Sequence, residues 1–419
     1  MKLETAKGVK DIKPEEKILR ERVISILKEV FELYGYNPLE TPIVERFDVL
    51  ASKYAGGEEI LREIFKLKDQ GKRDLALRYD LTVPFSRFVG MNPTLKMPFK
   101  RYEIGNVFRD GPLTSSRLRQ FYQCDVDVVG TSSMMADAEF IEIANLVFKK
   151  LDMKVFVRVN NRKILDDIIL RCNVKKNLVD SVILSIDKLD KIDDKGVKDE
   201  LLEKGVSKTS ISRLLKLISI KGTNKQKLDF LKREIGESQG LKEISELMKY
   251  SKDFVFDVSL ARGLSYYTGT VFEVYLKNSE VKTSVAAGGR YDNMIGNFLG
   301  GKREYPAVGI SFGLDRIVLA MKKEKFENIV KVYVIPIGIK EKAFEIVEKL
   351  RENGINSDID FNSRSISKNL DYASKLNIPY VIFLGEKELK LKKFKLKDMN
   401  SGKECLLDFK ELVKKIKKN

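Results

Sequence analysis

Apolar residues Leu19, Val23, Leu27, Val30 and Tyr34 recur every three or four positions, which predicts an amphipathic helix. Pro14 suits its first turn, and Gly35 stops it. Tyr36 to Glu45, with Pro38 and Pro42, then reads as extended. Alternating or continuous apolar runs at Leu75 to Val83, Phe99 to Phe108 and Phe121 to Val129 predict strands of an antiparallel sheet, joined by turns such as Gly111-Pro112. From Lys163 to Ser251 the pattern is helical and charged, as in an inserted helical module. Strands return where Phe254, Phe256 and Val258 alternate and where Val271 to Leu276 follows Gly269.

Lys322 to Glu327 reads as a linker or helix end. Beyond it lie a strand at Val332 to Ile337, a helix at Lys342 to Glu352, a short strand at Asn356 to Phe361, a helix at Lys368 to Leu376 and a strand at Tyr380 to Leu384. That βαβαβ order predicts a small, separate α/β domain, ending in a basic strand region at Lys387 to Lys397 and a basic helix at Phe409 to Lys418.

Charge and composition narrow the chemistry. The 419 residues include 78 Lys and Arg against 61 Asp and Glu, a net charge of +17. This balance suits an anionic partner such as nucleic acid, and equally a lysine-rich solvated face. The sequence has no histidine and three widely spaced cysteines, Cys124, Cys172 and Cys405. Catalysis through a histidine base is therefore excluded, and a disulfide framework or a His/Cys zinc site is not expected. No apolar run approaches the ~20 residues of a membrane span, and Met1 to Lys17 has no signal-peptide character, so the expected location is cytoplasmic.

Four segments carry candidate chemistry. Phe108-Arg109-Asp110-Gly111-Pro112 is followed by Arg117-Leu118-Arg119-Gln120-Phe121, which can bring arginines and an aromatic ring around one pocket. Alone, a surface arginine cluster explains it better. Gly309 to Arg316 runs from a strand into a helix with an arginine one turn in; it lacks the P-loop ending, and a tight packing turn accounts for its glycines equally. Arg262 to Glu273 and Ala287 to Asp292 place glycines beside arginine and tyrosine.

Taken in order, these segments resemble the class II aminoacyl-tRNA synthetases. Motif 1 is similar to Gly35 to Pro42, motif 2 to Phe108 to Phe121 and motif 3 to Gly309 to Arg316. Arg262 to Glu273 and Ala287 to Asp292 resemble the two signatures of the histidyl-tRNA synthetase family, and Lys7 to Pro14 its opening. Arg78 to Thr82 and Gln123 to Asp125 look closer to the archaeal and eukaryotic branch.

The resemblance implies an α+β fold: an antiparallel catalytic sheet flanked by helices, a helical insertion and a C-terminal α/β anticodon-binding domain, in a homodimer. The corresponding divisions are 1–160 and 252–325 for the catalytic domain, 161–251 for the insertion and 328–419 for the anticodon-binding domain. It implies activation of histidine by ATP and transfer to histidine tRNA, with Mg²⁺ on the β and γ phosphates. A non-charging paralogue, such as the regulatory subunit of ATP phosphoribosyltransferase, is the alternative. By similarity Arg109 holds the α-phosphate and carboxylate region, Arg117 and Arg316 clamp the far phosphates, and Phe121 stacks on adenine. Arg262 stands where other class II enzymes use a metal ion. The histidine pocket maps onto Asp80, Thr82, Gln123, Asp127, Tyr267 and Tyr291, with Asp127 and Tyr267 reading the imidazole. Three departures bear on this site. Asp110-Gly111 stands where bacterial members usually carry a glutamate, and Ser265 where aspartate is common. Asp127 is one methylene shorter than the glutamate often found, so the ring sits deeper or a water bridges.

Overall fold

The computed structural model describes residues 2–52, 61–113, 118–189, 192, 194–263, 266–301, 304–321 and 328–418. Arg117, Ser265 and the segment Lys322 to Glu327 therefore lie outside the described residues. The chain forms two compact units, one of Met1–Asp11 with Arg20–Met321 and one of Ile12–Leu19 with Lys322–Asn419.

The strands of the first unit, in chain order, are β1 (Asn37–Pro38), β2 (Val44–Arg46), β3 (Lys66–Lys68), β4 (Asp74–Leu77), β5 (Phe99–Phe108), β6 (Gln120–Val129), β7 (Val155–Asn161), β8 (Val255–Phe256), β9 (Thr270–Leu276), β10 (Ala286–Arg290) and β11 (Ala307–Phe312). Eight of them form one sheet in the order β1-β5-β6-β11-β10-β9-β7-β8, and β2-β4-β3 form a small second sheet. Every pairing from β5 through to β7 is antiparallel, while the short edge strands β1 and β8 pair in parallel.

Side-chain alternation divides the large sheet into two unlike faces. Tyr102 of β5, Val126 of β6 and Phe312 of β11 point to the helical side, where Phe31 and Phe148 pack at ring distances of 5.6 to 6.0 Å. Arg290 of β10 also points there, and its ion pair with Asp137 is buried under helix Met134–Lys150. The opposite face carries Arg101 and Glu103 of β5, Gln123, Asp125 and Asp127 of β6, Ser311 of β11 and Glu273 of β9. So many polar groups on a sheet floor have no core to fill; they line a site.

The expected strand at Leu75 to Val83 stops at Leu77, and a helix begins at Thr82. The Asp80 carboxylate accepts the Val83 N–H at 3.1 Å, which starts the helix as a cap does. Between β7 and β8 the chain is helical, from Arg162–Arg171 to Gln239–Tyr250. The alternation of Phe254, Phe256 and Val258 yields only a two-residue strand, because Asn160 Nδ2 donates to the carbonyls of Val258 and Leu260 at 3.0 and 2.8 Å.

In the second unit β12 (Val332–Ile337), β13 (Ser357–Ile359), β14 (Tyr380–Gly385), β15 (Phe394–Asp398) and β16 (Glu404–Leu407) form a sheet in the order β13-β12-β14-β15-β16. The first three are parallel and joined through helices Lys340–Glu352 and Ile366–Lys375, which cover opposite faces with separate apolar clusters. The basic stretch expected as a strand from Lys387 begins instead as helix Glu386–Leu391. Glu388 accepts the Gly385 N–H at 3.0 Å to start it, and Lys392, at φ 49°, ends it.

Candidate active site

The polar sheet face becomes a site because loops at the strand ends bring charged groups over it. Arg109 directly follows β5, and its Nε donates to the Tyr79 carbonyl at 3.0 Å. Its guanidinium lies 5.2 Å from the centre of the Phe121 ring. Arg262, in the loop between β8 and β9, pairs with Glu273, whose other oxygen takes the Tyr275 hydroxyl. Arg316, in helix Leu314–Met321 after β11, donates to the Ser284 carbonyl at 2.7 Å. Burial, and then the charges of Arg262 and Arg109, lower the pKa of Arg316, with Glu273 opposing. Three guanidinium groups from separate elements thus converge on one region, a concentration of positive charge suited to a polyanion.

Beside them lies a pocket of acids and tyrosines. Asp80 is buried, and desolvation raises its carboxyl to about 6 although the Val83 N–H and Arg109 oppose this. Thr82 opens the following helix. Asp127 is held from both sides: the Tyr291 hydroxyl donates to Oδ1 at 2.7 Å, and Arg101 Nη2 lies 2.8 Å from Oδ2 as an ion pair. A side chain at Gly309 would run into Oδ1 of Asp127, so the glycine is what lets that carboxylate lie flat against β11. Gln123 Nε2 reaches the Ser311 hydroxyl at 3.4 Å. The Tyr266 and Tyr267 rings lie 4.7 Å apart, and Tyr266 meets Tyr291 edge-on at 6.3 Å.

A family model described as Histidyl-tRNA synthetase matches residues 8–317, and one described as Anticodon binding domain matches residues 331–419. The chain belongs to the histidyl-tRNA synthetase family. Histidine–tRNA ligase 1 of Bacillus anthracis is 41% identical, over 96% of this chain and 97% of its own length. Histidine–tRNA ligase 2 of Shouchella clausii is 42% identical, over 97% of this chain and 98% of its own. The crystal structure of a histidyl-tRNA synthetase from a Nostoc species superposes with a TM-score of 0.87 at 31% identity, covering 100% of this chain and 99% of that one. The expected lean towards the archaeal and eukaryotic branch is not supported, since these relatives are bacterial. The non-charging paralogue is not favoured either, because the ligases match across both units.

Among the residues picked out in the sequence, the structure gathers Arg109, Phe121, Arg262 and Arg316 into the arginine-rich region. Asp80, Thr82, Gln123, Asp127, Tyr267 and Tyr291 lie in the adjoining segments of the same unit. Arg117 is outside the described residues. Sequence reasoning missed Arg101, Glu103 and Asp125 as site-face residues, and Glu273 as the partner of Arg262. Arg78, buried, ties the floor to motif 1: its Nη1 donates to Glu103 Oε1 and to the Thr41 carbonyl, both at 2.7 Å. The available signal was charge at alternate positions, Arg101 and Glu103 on one strand and Asp125 and Asp127 on the next.

Proposed function

We propose that this chain is a histidine–tRNA ligase, activating histidine with ATP to histidyl-adenylate and pyrophosphate, then transferring histidine to the 3′ end of histidine tRNA. The observation that carries this reading is the convergence of Arg109, Arg262 and Arg316 beside a pocket of carboxylates and tyrosines in a member of this family. Attack of the substrate carboxylate on the α-phosphorus asks the protein for alignment and charge stabilisation more than for covalent work. Arg109 is assigned to the α-phosphate and carboxylate, Arg316 with Arg117 to the far phosphates, and Phe121 to the adenine ring. Arg262, oriented by Glu273, supplies fixed positive charge at the reacting phosphate.

Asp80 is assigned to the α-ammonium. Its carboxyl is raised by burial in the free protein, and an arriving ammonium would draw it to the ionised form. Among the described residues no group of three or more His, Cys, Asp or Glu side chains is placed to hold a metal ion. Mg²⁺ is expected to arrive bound to the β and γ phosphates of ATP.

We assign 1–160 and 252–325 to the catalytic domain, 161–251 to the helical insertion and 328–419 to anticodon binding, in a cytoplasmic homodimer. Among the described residues no helix is long and apolar enough to cross a membrane. Pyrophosphate exchange into ATP, tried with each amino acid, tests the reading. Exchange is expected with histidine alone; exchange with none, or with a different amino acid, would overturn it.

A further inference from the structure

One helix of the insertion reaches the loop that carries Arg262. We infer that Asp187, at the end of insertion helix Val179–Ile186, is a positioning residue for Arg262, so that adenylate formation depends on how the insertion is seated. This rests on the proposed function and deepens it.

The two ends of the loop are fixed close to the sheet. Asn160 Nδ2 holds the carbonyls of Val258 and Leu260 where the loop begins. Where it ends, the Thr268 N–H donates to the Arg290 carbonyl and the Arg162 N–H to the Gly269 carbonyl, both at 2.8 Å. Arg262 stands between these anchors, and Glu273 of β9 grips it from the sheet floor.

Helix Val179–Ile186 spans the same loop from the insertion. In its first turn Asp180 pairs with Arg162, which ties that end to the Gly269 anchor. At the other end, a methyl group on Gly263 would stand 3.2 Å from Asp187 Oδ2 and 3.9 Å from Leu184 Cδ2. The backbone next to Arg262 therefore runs against the helix end. Asp187 is the C-cap of that helix, where the helix dipole disfavours an acid. A guanidinium beside it offsets that cost. Burial works to lower the Arg262 pKa, and Tyr267, Glu273, Tyr266 and Asp187 together outweigh it, so the group stays charged. A guanidinium gripped by one carboxylate can still swing about that contact. A second acid on a separate element narrows its direction, and a reacting phosphate is sensitive to direction.

The test is histidine-dependent pyrophosphate exchange by the full chain. Asp187→Asn keeps the side chain's shape and removes its charge. It is expected to lower kcat roughly 3- to 30-fold, with KM for ATP and for histidine within about twofold of wild type. Asp187→Glu should recover most of the rate, and the thermal midpoint should not move in either variant. In an Arg262→Gln background, adding Asp187→Asn should cost little more, because residues acting as a unit are not additive. An unchanged or raised kcat in Asp187→Asn, a loss that Asp187→Glu does not recover, or losses that multiply in the double variant would overturn the inference. Should Asp187→Asn not fold, Gly263→Ala reads the same contact from the loop: a lower kcat at unchanged KM supports the assignment, and a wild-type rate refutes it. Absence of histidine-dependent exchange in wild type would instead overturn the proposed function itself.

Discussion

Arg262 shows how one residue is prepared for a reaction before any substrate arrives. Glu273 grips its Nη1 edge, and Tyr275 in turn holds Glu273, so the guanidinium direction is set. Its Nε is buried without a partner among the described residues. A lysine there would keep the charge but lose the fork. Arg262→Lys is therefore expected to slow adenylate formation by about 10²–10³-fold, as for loss of a preorganised donor. Equilibrium titration with histidine should change little, and equal weakening of both would contradict the assignment. At the same scale, Asp125 carries a pH signature. Burial is the largest influence holding its carboxyl up to about 8; Arg101 opposes, while Asp127 and Asp80 add to it. Glu103, Ser311, Tyr267 and Tyr291 complete the groups that face it. A folded-state value above the ordinary 3.8 means stability fully present below that value and lost as pH rises through about 8. Thermal melts of ligand-free protein should fall between pH 5 and 8 in wild type and fall less in Asp125→Asn; parallel slopes would contradict this.

The elements explain which parts of the molecule could be read in advance. β5 and β6 were legible as strands because long alternating runs impose one period, and β12 to β14 because short apolar runs alternate with helical ones. What those strands build was less legible. Arg101 and Glu103 look like solvent-facing charges on an alternating strand, and become buried only because register sets them against Asp127 and Asp125. Cross-strand register is a long-range property that no local window carries. Asp80 illustrates the same limit: its apolar flanks continue a strand pattern, while its carboxylate captures the Val83 N–H and turns the chain into a helix. The glycines of motif 3 read ambiguously for a related reason, and Gly309 now has a specific one. A methyl group there would collide with the Asp127 carboxylate and with the Val126 carbonyl across the β11–β6 pairing. Gly309→Ala is expected to destabilise the protein by roughly 1–3 kcal/mol and to raise the KM for histidine. Denaturant melts and exchange assays check both; an unchanged midpoint would mean that β11 moves freely, against this packing.

At the scale of the whole molecule, the second unit has a surface whose chemistry differs from that of the catalytic floor. Residues 331–419 carry 20 lysines and arginines against 13 acids. At the carboxyl ends of β12 and β13, a cavity of about 370 Å³ is lined by Pro336, Lys340, Phe344, Ile359, Asp360 and Phe361 among others. Phe361 is 73% exposed and Phe344 49%, so two aromatic rings at this cavity are open to flat partners that could stack there. Unstacked RNA bases are such partners; Lys340 beside the cavity can meet a phosphate, while Glu341 and Asp360 also line it. Removing one stacking ring from the intact chain is therefore expected to act on RNA alone. Stacking is worth about 1–3 kcal/mol per base, so Phe361→Ala should raise the KM for histidine tRNA roughly 5- to 150-fold. Histidine-dependent pyrophosphate exchange, measured on the same preparation, should stay at the wild-type rate, since the catalytic floor belongs to the other unit. The two assays separate the outcomes. An unchanged KM for tRNA would remove this cavity from the RNA path, and a matching loss in exchange would show that the ring supports the fold instead of the partner.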